Sequence, residues 1–271
     1  MSLAFILMKL ALDHLTVIDT TPMDLVRAAE ASHCEGFCLF MQSLDVLPRM
    51  PLFNLIESPT EQRDLKAMMQ TASISLDVAY PFTLAGRTEI KSFQAGLECA
   101  AFLEAEFVNA LIYDRDNARR EDNFIIFTEM AQQHGLKVVV EFFPGSQIMS
   151  LADALALVSL ADRPYEVGVN VDLLHLMRSG AKLDELRAAP DAAILYAQIC
   201  DAPLEPHLSR EVEASAQRCL IGEGDFDVAG FIAALPSHCH MSVEIPQEYA
   251  ILDGQSVTQR AQQAVKSVKQ I

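Results

Sequence analysis

Eight short apolar runs, separated by segments with helical spacing, constrain the fold of this chain more than any other feature. The runs are dominated by aliphatic and aromatic residues, which is typical of parallel strands covered on both faces. We expect strands at Leu12–Val17, Gly36–Phe40, Ser73–Val78, Phe107–Ile112, Leu136–Glu141, Val167–Asp172, Ile194–Asp201 and His240–Ile245. Eight strands that alternate with helices favour a closed barrel over an open sheet.

Helix start signals lie between the apolar runs. A hydroxyl residue, a proline and an acidic residue follow one another at Thr21–Asp24 and at Ser58–Glu61, as expected at a helix N-terminus. Ser150 and Ser256 open later helices in a similar way. The chain has 271 residues and no Pro/Gly-rich linker that would divide it. We therefore predict one α/β domain, a single (β/α)8 TIM barrel that spans residues 1–271.

The charge balance restricts the partners of the protein. Lys and Arg total 20 against 37 Asp and Glu, which gives a formal net charge of −17. A surface this acidic repels phosphate backbones and anionic membranes, and no run of basic residues offsets it. We expect a small-molecule substrate such as a polyol, sugar or cyclic hydroxy acid, with no nucleic-acid and no membrane partner. The oligomeric state is left open, with a homo-oligomer among the alternatives.

The cysteines and the N-terminal segment indicate a cytoplasmic protein. The six cysteines form no CxxC pair and no framework spacing, which is typical of reduced thiols. The apolar stretch Leu3–Leu12 has no basic segment before it and no small-residue cleavage site after it. It is also too short to span a bilayer, so we expect it to lead into the first strand.

Four of the predicted strands carry a polar or acidic side chain at or near their C-terminal end. These residues are Glu141, Asp172, Gln198 and Glu244. The C-terminal ends of parallel barrel strands share one face, where catalytic groups collect. Polar residues also end strands for no functional reason. For any one of the four residues, that simpler explanation is as good as a functional role. For all four together, the functional role is favoured.

Three carboxylates at one end of a barrel repel one another unless a cation or shared protons compensate them. A divalent ion would leave an excess of about one negative charge. If Gln198 binds through its carbonyl, all four ligands are oxygens, and such a set favours Mn²⁺ or Mg²⁺ over Co²⁺ or Zn²⁺. Glu141, Asp172, Gln198 and Glu244 are therefore predicted to form a metal site.

Five short motifs lie in the part of the chain from the fifth to the eighth apolar run. They are Val-Glu-Phe-Phe-Pro (140–144), Asn-Val-Asp-Leu-Leu-His (170–175), Gln-Ile-Cys-Asp (198–201), Gly-Glu-Gly-Asp (222–225) and Val-Glu-Ile-Pro (243–246). Their succession resembles the xylose isomerase-like TIM-barrel superfamily. That group contains sugar phosphate isomerases and epimerases, inosose and 3-dehydroshikimate dehydratases, and endonuclease IV. The resemblance runs across most of the chain, but its specific motifs lie between strands five and eight.

The resemblance implies roles for individual residues. Glu141, Asp172 and Glu244 match three metal ligands of the superfamily. The fourth is usually a histidine, whereas this chain has Gln198. The 3-dehydroshikimate dehydratase branch does use glutamine, within a Gln-x-x-Asp-Ala-Pro run like residues 198–203. Gln198 is compatible with metal binding. It also makes the activity of the histidine-containing epimerases a weaker guide to this chain.

Two further residues are implied by the same resemblance. Arg218 lies just upstream of Gly222, as in the dehydratase branch, and is expected to bind substrate. His175, three residues after Asp172, matches a histidine that faces the substrate. A buried histidine bonded to the backbone is the alternative for His175.

Other polar residues carry less weight. His238 and His240 lie just before and at the start of the eighth strand and should lie at the opposite end of the barrel. His14 could reach the mouth of the barrel but has no partner in the sequence. Arg87 and Arg178 follow strands, where arginines are more often solvated than bound to a ligand. The glycine pair at residues 222–224 is typical of a tight loop.

The favoured mechanism is removal of a proton from carbon next to a carbonyl. A metal ion would stabilise the developing negative charge, and Glu141 or Glu244 would act as the base. Returning the proton gives a sugar or sugar-phosphate isomerase or epimerase, which we rank first. Loss of a β-hydroxyl gives a dehydratase of the 3-dehydroshikimate or inosose type, with His175 as a candidate acid.

Two other classes are weaker. An endonuclease IV-like nuclease would need several more metal-binding histidines and a basic groove, and this chain has only seven histidines. A non-catalytic binding protein on the same fold is the third alternative. The three retained carboxylates disfavour it, although Gln198 leaves it open.

Overall fold

The strands form a closed parallel barrel. A computed structural model describes residues 9–270, and its eight strands lie in chain order, with the eighth paired to the first. The strands are β1 Leu10–Asp13, β2 Gly36–Phe40, β3 Ser75–Leu84, β4 Phe107–Ile112, β5 Lys137–Glu141, β6 Val167–Asp172, β7 Ile194–Ile199 and β8 His240–Val243. The predicted (β/α)8 TIM barrel is confirmed.

Every connection between successive strands contains at least one helix. The helices are α1 Pro22–Ala31, α2 Pro59–Ala72, α3 Gln94–Phe102, α4 Asn117–Gln133, α5 Leu151–Ser159, α6 Leu173–Arg178, α7 Leu183–Ala188, α8 Arg210–Ser215, α9 Val228–Ala234, α10 Glu248–Leu252 and α11 Val257–Val268. Short 3-10 helices occur at His14–Val17, Ile90–Phe93 and Asp191–Ala193. Within residues 9–270, none of the helices combines the length and apolar character needed to cross a membrane.

The first strand differs from its prediction. The predicted strand Leu12–Val17 was wrong at both ends, because the strand is Leu10–Asp13 and residues 14–17 form a 3-10 helix. Asp13 caps that helix, since its Oδ1 accepts a hydrogen bond from the Leu15 N–H at 3.0 Å. Asp13 is thereby placed at the C-terminal end of β1. Of the apolar stretch that leads into this strand, residues 3–8 lie outside the described residues.

Three of the four helix start signals act as caps. The hydroxyls of Thr21, Ser150 and Ser256 each accept a hydrogen bond from the backbone N–H three residues on. Ser58 makes no such bond, although α2 does begin at Pro59. Proline in the first turn favours a helix start at this position, and Leu65 and Met69 of α2 are buried.

Alternation along the strands positions the site. One face of each strand packs against the helices in the large apolar core. The other face points into the barrel, where a second, smaller cluster contains Ala11, Cys38, Val78, Phe107, Val139 and Tyr196. Because side chains on a strand repeat every two residues, the residues two positions beyond Ala11, Val139 and Tyr196 also point inward. These residues are Asp13, Glu141 and Gln198.

A group of charged residues lies at the opposite, N-terminal end of the barrel. Lys9 Nζ is 2.6 Å from Asp77 Oδ1. Glu106 contacts Lys137 Nζ at 3.0 Å and His240 Nδ1 at 3.2 Å. We call these five residues the base cluster. His240 lies in it as the first residue of β8, away from the predicted metal ligands.

Candidate active site

The C-terminal end of the barrel gathers the predicted site residues. Glu141 and Asp172 end β5 and β6, Gln198 lies one residue before the end of β7, and Glu244 directly follows β8. Asp172, Gln198 and Glu244 are at most 2% exposed. Glu141 retains 12% side-chain exposure and is the most accessible of the four.

Glu141 and Asp172 form one half of the site together with His175. Ligand atoms of these three residues all lie within 4.8 Å of one another, a spacing that could hold a metal ion. His175 Nε2 is 3.5 Å from Glu141 Oε1. The backbone N–H of His175, in the first turn of α6, donates to Asp172 Oδ1 at 3.1 Å. The histidine expected near the substrate therefore lies beside two of the predicted ligands.

Gln198 and Glu244 form the other half. The Gln198 amide nitrogen donates a hydrogen bond to the Glu244 carboxylate. Its carbonyl oxygen accepts a hydrogen bond from Asn170 Nδ2 at 2.7 Å. In this arrangement, the NH₂ group of Gln198 faces the acidic residues, while the carbonyl faces Asn170.

Arg218 joins the two halves. Its Nη1 is 2.7 Å from Asp172 Oδ2, and its Nη2 is 2.9 Å from Glu244 Oε1. The guanidinium also donates to the backbone carbonyls of Glu213, Ala214 and Glu244. Its side chain has no exposed area. A substrate contact by Arg218 stays a prediction, and the contacts the structure shows are ion pairs with two of the predicted metal ligands.

Asp13 was missed by the sequence reasoning. It is fully buried, accepts a hydrogen bond from the Tyr80 hydroxyl and lies 3.4 Å from Gln198 Nε2 through its Oδ2. Because the first strand was predicted to start at Leu12, Asp13 seemed to lie near the beginning of that strand. The rule that found Glu141 and Asp172, a carboxylate at a strand end, would have found Asp13 had the strand been placed correctly.

Two buried asparagines were also missed. Asn109 on β4 donates from Nδ2 to Glu141 Oε2 at 2.6 Å, and Asn170 on β6 makes the matching bond to Gln198. Each is a polar residue inside an otherwise apolar run. That pattern was the available signal, since a polar residue in such a run needs a buried partner.

Negative charge is in excess at this end of the barrel. We call Asp13, Glu141, Asp172, His175, Gln198, Arg218 and Glu244 the mouth cluster. Its four carboxylates face one guanidinium, so three negative charges are uncompensated when all four are ionised and His175 is neutral. Burial and neighbouring carboxylates must then favour the protonated forms of some of these acids unless a cation is present.

The pKa values of the carboxyl groups reflect this imbalance. Burial raises the pKa of Asp13 to about 6, although hydrogen bonds from Tyr80, Leu15 and Gln198 partly oppose the shift. Burial also raises the pKa of Glu244 well above its ordinary value, with Arg218 offsetting only part of the effect. Arg218 therefore leaves much of the charge at Asp13 and Glu244 uncompensated.

Asp172 behaves differently. Burial alone would raise its pKa, but Arg218, helped by His175 and the His175 backbone N–H, outweighs burial and lowers the pKa. A buried set of carboxylate oxygens with one imidazole and an excess of negative charge suits a divalent cation. The residues present therefore fit the metal that the sequence predicts.

The remaining arginine candidates lie away from the cluster or contact other protein groups. Arg178 forms an ion pair with Glu213 at 2.6 Å and donates to the carbonyls of Pro203 and Leu204, which ties α6 to the segment around α8. Arg87 is exposed to solvent in the connection after β3.

The glycine turn at residues 222–225 is filled by a carboxylate of the protein. Asp201 Oδ2 accepts hydrogen bonds from the N–H groups of Gly222 and Gly224 at 2.9 and 3.1 Å. Asp201 Oδ1 accepts from Ala202 and Phe226. These N–H groups could otherwise cradle a phosphate, but here they hold a structural loop.

His14 is a buried structural residue. Its Nε2 is 3.1 Å from the Thr20 carbonyl oxygen, and its Nδ1 accepts a hydrogen bond from the Phe40 N–H at 3.3 Å. Burial lowers the pKa of His14 to about 4, which keeps the ring neutral at pH 7. Both ring nitrogens are therefore used by the backbone.

Comparison with known proteins agrees with the fold. A curated relative, the 3-dehydroshikimate dehydratase of Pseudomonas putida, is 29% identical over 117 residues. The match covers 42% of this chain but only 18% of that much longer protein. It therefore concerns a part of the relative rather than the whole.

Solved structures match over nearly the whole chain. The IolI protein with a bound zinc atom has a TM-score of 0.78 and 20% identity, covering 97% of both chains. D-Allulose 3-epimerase from Methylomonas sp. has a TM-score of 0.70 and 12% identity, also covering 97% of both. At these identities the likeness concerns the fold alone. A sequence profile described as xylose isomerase-like TIM barrel matches residues 26–270. The chain therefore belongs to the xylose isomerase-like TIM-barrel family.

Proposed function

We propose that this protein is a divalent-metal-dependent enzyme that removes a proton from carbon next to a carbonyl in a small hydroxylated substrate, acting as an isomerase or epimerase. One observation carries the proposal. The mouth cluster has an excess of buried negative charge, and its most accessible carboxylate, Glu141, lies beside His175. A cation site next to an acid–base pair can serve such a reaction, since the cation stabilises the developing charge while the pair moves the proton.

Glu141, Asp172, Gln198 and Glu244 would hold the metal, with His175 close enough to contribute. The ion would polarise a substrate oxygen and stabilise the negative charge that develops on it, an effect worth several kcal/mol. We propose Mn²⁺ or Mg²⁺ because most of the donors are oxygens. His175 and the zinc atom in the IolI structure make Zn²⁺ the essential comparison.

Glu141 is the better placed of the two candidate bases. Its Oε2 is fixed by Asn109, and its Oε1 lies 3.5 Å from His175 Nε2. A positioned base of this kind contributes about 10²–10⁴-fold to the rate. Glu244 is only 2% exposed, and its two oxygens are engaged by Arg218 and Gln198. We therefore assign proton removal to Glu141, with His175 as its partner.

The surroundings of the site favour a substrate without a phosphate group. The N–H groups of the glycine turn are occupied by Asp201. Arg178 and Arg218 already contact carboxylates and carbonyls of the protein. A phosphate dianion would also meet the negative field of the mouth cluster. A neutral sugar, a polyol-derived ketone or a singly charged hydroxy acid fits better.

A 3-dehydroshikimate dehydratase-type or inosose dehydratase-type lyase is the second candidate. Gln198 and the Asp-Ala-Pro run that follows Cys200 favour it, as does the name of the Pseudomonas putida relative. In this reaction Glu141 would remove the proton and His175 would protonate the departing hydroxyl. The C–H and C–O bonds break, a carbon–carbon double bond forms and water leaves.

Two assays on the Mn²⁺-loaded protein test these proposals. The first follows deuterium uptake from D₂O next to the carbonyl of D-allulose, D-fructose and inosose by NMR. The second follows protocatechuate absorbance with 3-dehydroshikimate. We expect exchange in the first assay, and a clear signal in the second would reverse the order of the two candidates. Glu141→Gln should abolish the active reaction, whereas Glu106→Gln in the base cluster should retain it. Full activity of Glu141→Gln would contradict its assignment as the base.

The nuclease alternative finds no support in the described part of the chain. Among residues 9–270, the single cluster of histidine, cysteine and acidic residues with metal-binding spacing contains one histidine, His175. A multi-zinc nuclease centre would need several. We predict no incision of abasic DNA, and robust cleavage by the purified protein would refute this.

A further inference from the structure

Asn170 is a buried residue with one unused hydrogen-bonding atom. It lies on β6, is fully buried and donates from Nδ2 to Gln198 Oε1 at 2.7 Å. Its own Oδ1 is buried and has no hydrogen-bond partner. A buried polar atom without a partner costs free energy, and this one is an acceptor that becomes usable if the amide turns.

The Gln198 amide is oriented for a site without a cation. Its Nε2 faces the Glu244 carboxylate and lies 3.4 Å from both Asp13 Oδ2 and the Tyr80 hydroxyl. Acidic neighbours attract an NH₂ group when no cation is near. A metal ligand must instead be the carbonyl oxygen, because an amide nitrogen has no free lone pair for a hard cation.

Turning Gln198 alone would create a conflict. A half-turn of its amide would bring Nε2 against Asn170 Nδ2, which sets two donors against each other. If Asn170 also turns, its unpartnered Oδ1 can accept a hydrogen bond from Gln198 Nε2. We infer that Asn170 is a positioning residue for Gln198, and that paired inversion of the two amides presents the Gln198 carbonyl to a divalent cation. This inference rests on the proposed metal site.

Asn109 provides a matched comparison. It is also buried on an even-numbered strand, also donates to a predicted ligand, and also has an unpartnered Oδ1. Its partner Glu141 is a carboxylate, whose two oxygens are chemically equivalent. No orientation has to be chosen there, so Asn109 can support Glu141 without the same effect on which atom faces the cation.

The test is a double-mutant cycle in which calorimetry measures the Mn²⁺ affinity of metal-free protein. Asn170→Leu should weaken Mn²⁺ binding by about 10–100-fold, as expected when a residue supporting a metal ligand is lost. In a Gln198→Glu background the loss should be smaller by about tenfold, because a carboxylate ligand needs no orientation. Introducing Asn109→Leu should lower the Mn²⁺ affinity by the same factor in both backgrounds. Thermal unfolding of each metal-free variant monitors folding.

Each outcome decides the question. Equal losses for Asn170→Leu in the two backgrounds, or no loss in the parent background, would overturn the positioning role. Asn170→Asp gives a second test, because its side chain can accept from Gln198 Nε2 and adds negative charge. Mn²⁺ binding should be retained or tightened in that variant, and weaker binding would contradict the inference. Absence of Mn²⁺ binding by the parent would instead overturn the proposed metal site and this inference with it.

Discussion

The two ends of the barrel both carry buried or half-buried charge, but they are built differently. In the base cluster, the two carboxylates of Asp77 and Glu106 are matched by two lysines, with His240 beside them. In the mouth cluster, four carboxylates share one guanidinium. Balanced charge needs no further partner and can serve stability, whereas an excess of one sign indicates a ligand of the opposite sign.

The pKa values of one carboxyl at each end show the same contrast. His240, whose Nδ1 is 3.2 Å from Glu106 Oε2, and Lys137 together outweigh burial and lower the pKa of Glu106 to about 2. Burial raises the pKa of Asp13 to about 6. The base cluster therefore stabilises an ionised carboxylate, while the mouth cluster destabilises one. One carboxyl at each end departs from this contrast, since burial raises the pKa of Asp77 despite Lys9, and Arg218 outweighs burial to lower the pKa of Asp172.

The largest expected effect comes from removing the single cation of the mouth cluster. Arg218→Leu leaves Asp172 and Glu244 buried without their partner. We expect a loss of about 4 kcal/mol in the free energy of unfolding of the metal-free protein, measured in urea. Saturating Mn²⁺ should reduce this loss, because the cation compensates the same carboxylates. A loss below about 1 kcal/mol, or one that Mn²⁺ does not change, would contradict the charge imbalance.

A somewhat smaller effect is expected from breaking an ion pair in the base cluster. Lys9→Met leaves the fully buried Asp77 carboxylate without its ion-pair partner. We expect the free energy of unfolding to fall by about 3 kcal/mol, which is less than for Arg218→Leu because the Lys9 side chain is 24% exposed. Adding Asp77→Leu should recover most of the stability, because an apolar pair can replace a balanced ion pair. Mn²⁺ affinity should not change in either variant. A change in affinity would show that the two ends are coupled.

The pH dependence of stability should have opposite signs at the two ends. The folded-state pKa of Asp13, about 6, exceeds its ordinary value of 3.8. Its ionisation therefore costs stability at pH 7, and this cost shrinks as the pH falls from about 6 and is lost near 3.8. Asp13→Asn should stabilise the metal-free protein by about 1–2 kcal/mol at pH 7, by roughly half as much at pH 5, and have little effect near pH 4.

Glu106 is the counterpart. Its folded-state pKa of about 2 lies below the ordinary 4.5, so its ionised form contributes stability above pH 4.5 that is lost as the pH falls towards 2. Glu106→Gln should destabilise the protein at pH 7, and the difference from the parent should shrink below pH 4.5. Urea unfolding at several pH values measures both variants. The same sign of effect at pH 7 for Asp13→Asn and Glu106→Gln would contradict the contrast.

The smallest effect is expected at the histidines of the base end. His240 pairs with Glu106 at a partly exposed position, and His238 is exposed against Tyr165. Replacing both with glutamine should cost less than about 1 kcal/mol of stability, since partly exposed ion pairs contribute little. Zn²⁺ and Mn²⁺ affinities should stay unchanged. Weaker binding of either metal would indicate a metal site at the N-terminal end of the barrel and would contradict its assignment to the mouth cluster.

Much of the fold could be predicted from the sequence because apolar runs and helix caps are local signals. The predicted bounds of β2, β4 and β6 equal the observed ones. The first strand was misplaced because residues 14–17 are largely buried although they form a 3-10 helix. Burial gives an apolar pattern in either conformation, so the pattern could not distinguish them.

The site could be predicted in part for the same reason. Glu141, Asp172, Gln198 and Glu244 stand at strand ends, which sequence alternation locates. The ion pairs of Arg218 with Asp172 and Glu244, and the bond from Asn170 to Gln198, join residues that are 46, 26 and 28 positions apart. No local periodicity encodes which side chains meet across a barrel, so these contacts required the structure.

Calorimetric titration of the metal-free protein with Mn²⁺ tests the central claim most directly. We predict one binding site in the parent, binding weaker by more than about 100-fold in Glu141→Gln, and parent-like binding in Glu106→Gln, which alters the base cluster by the same chemical change. Equal affinity and stoichiometry in the parent and Glu141→Gln would contradict the claim that the mouth cluster holds a cation.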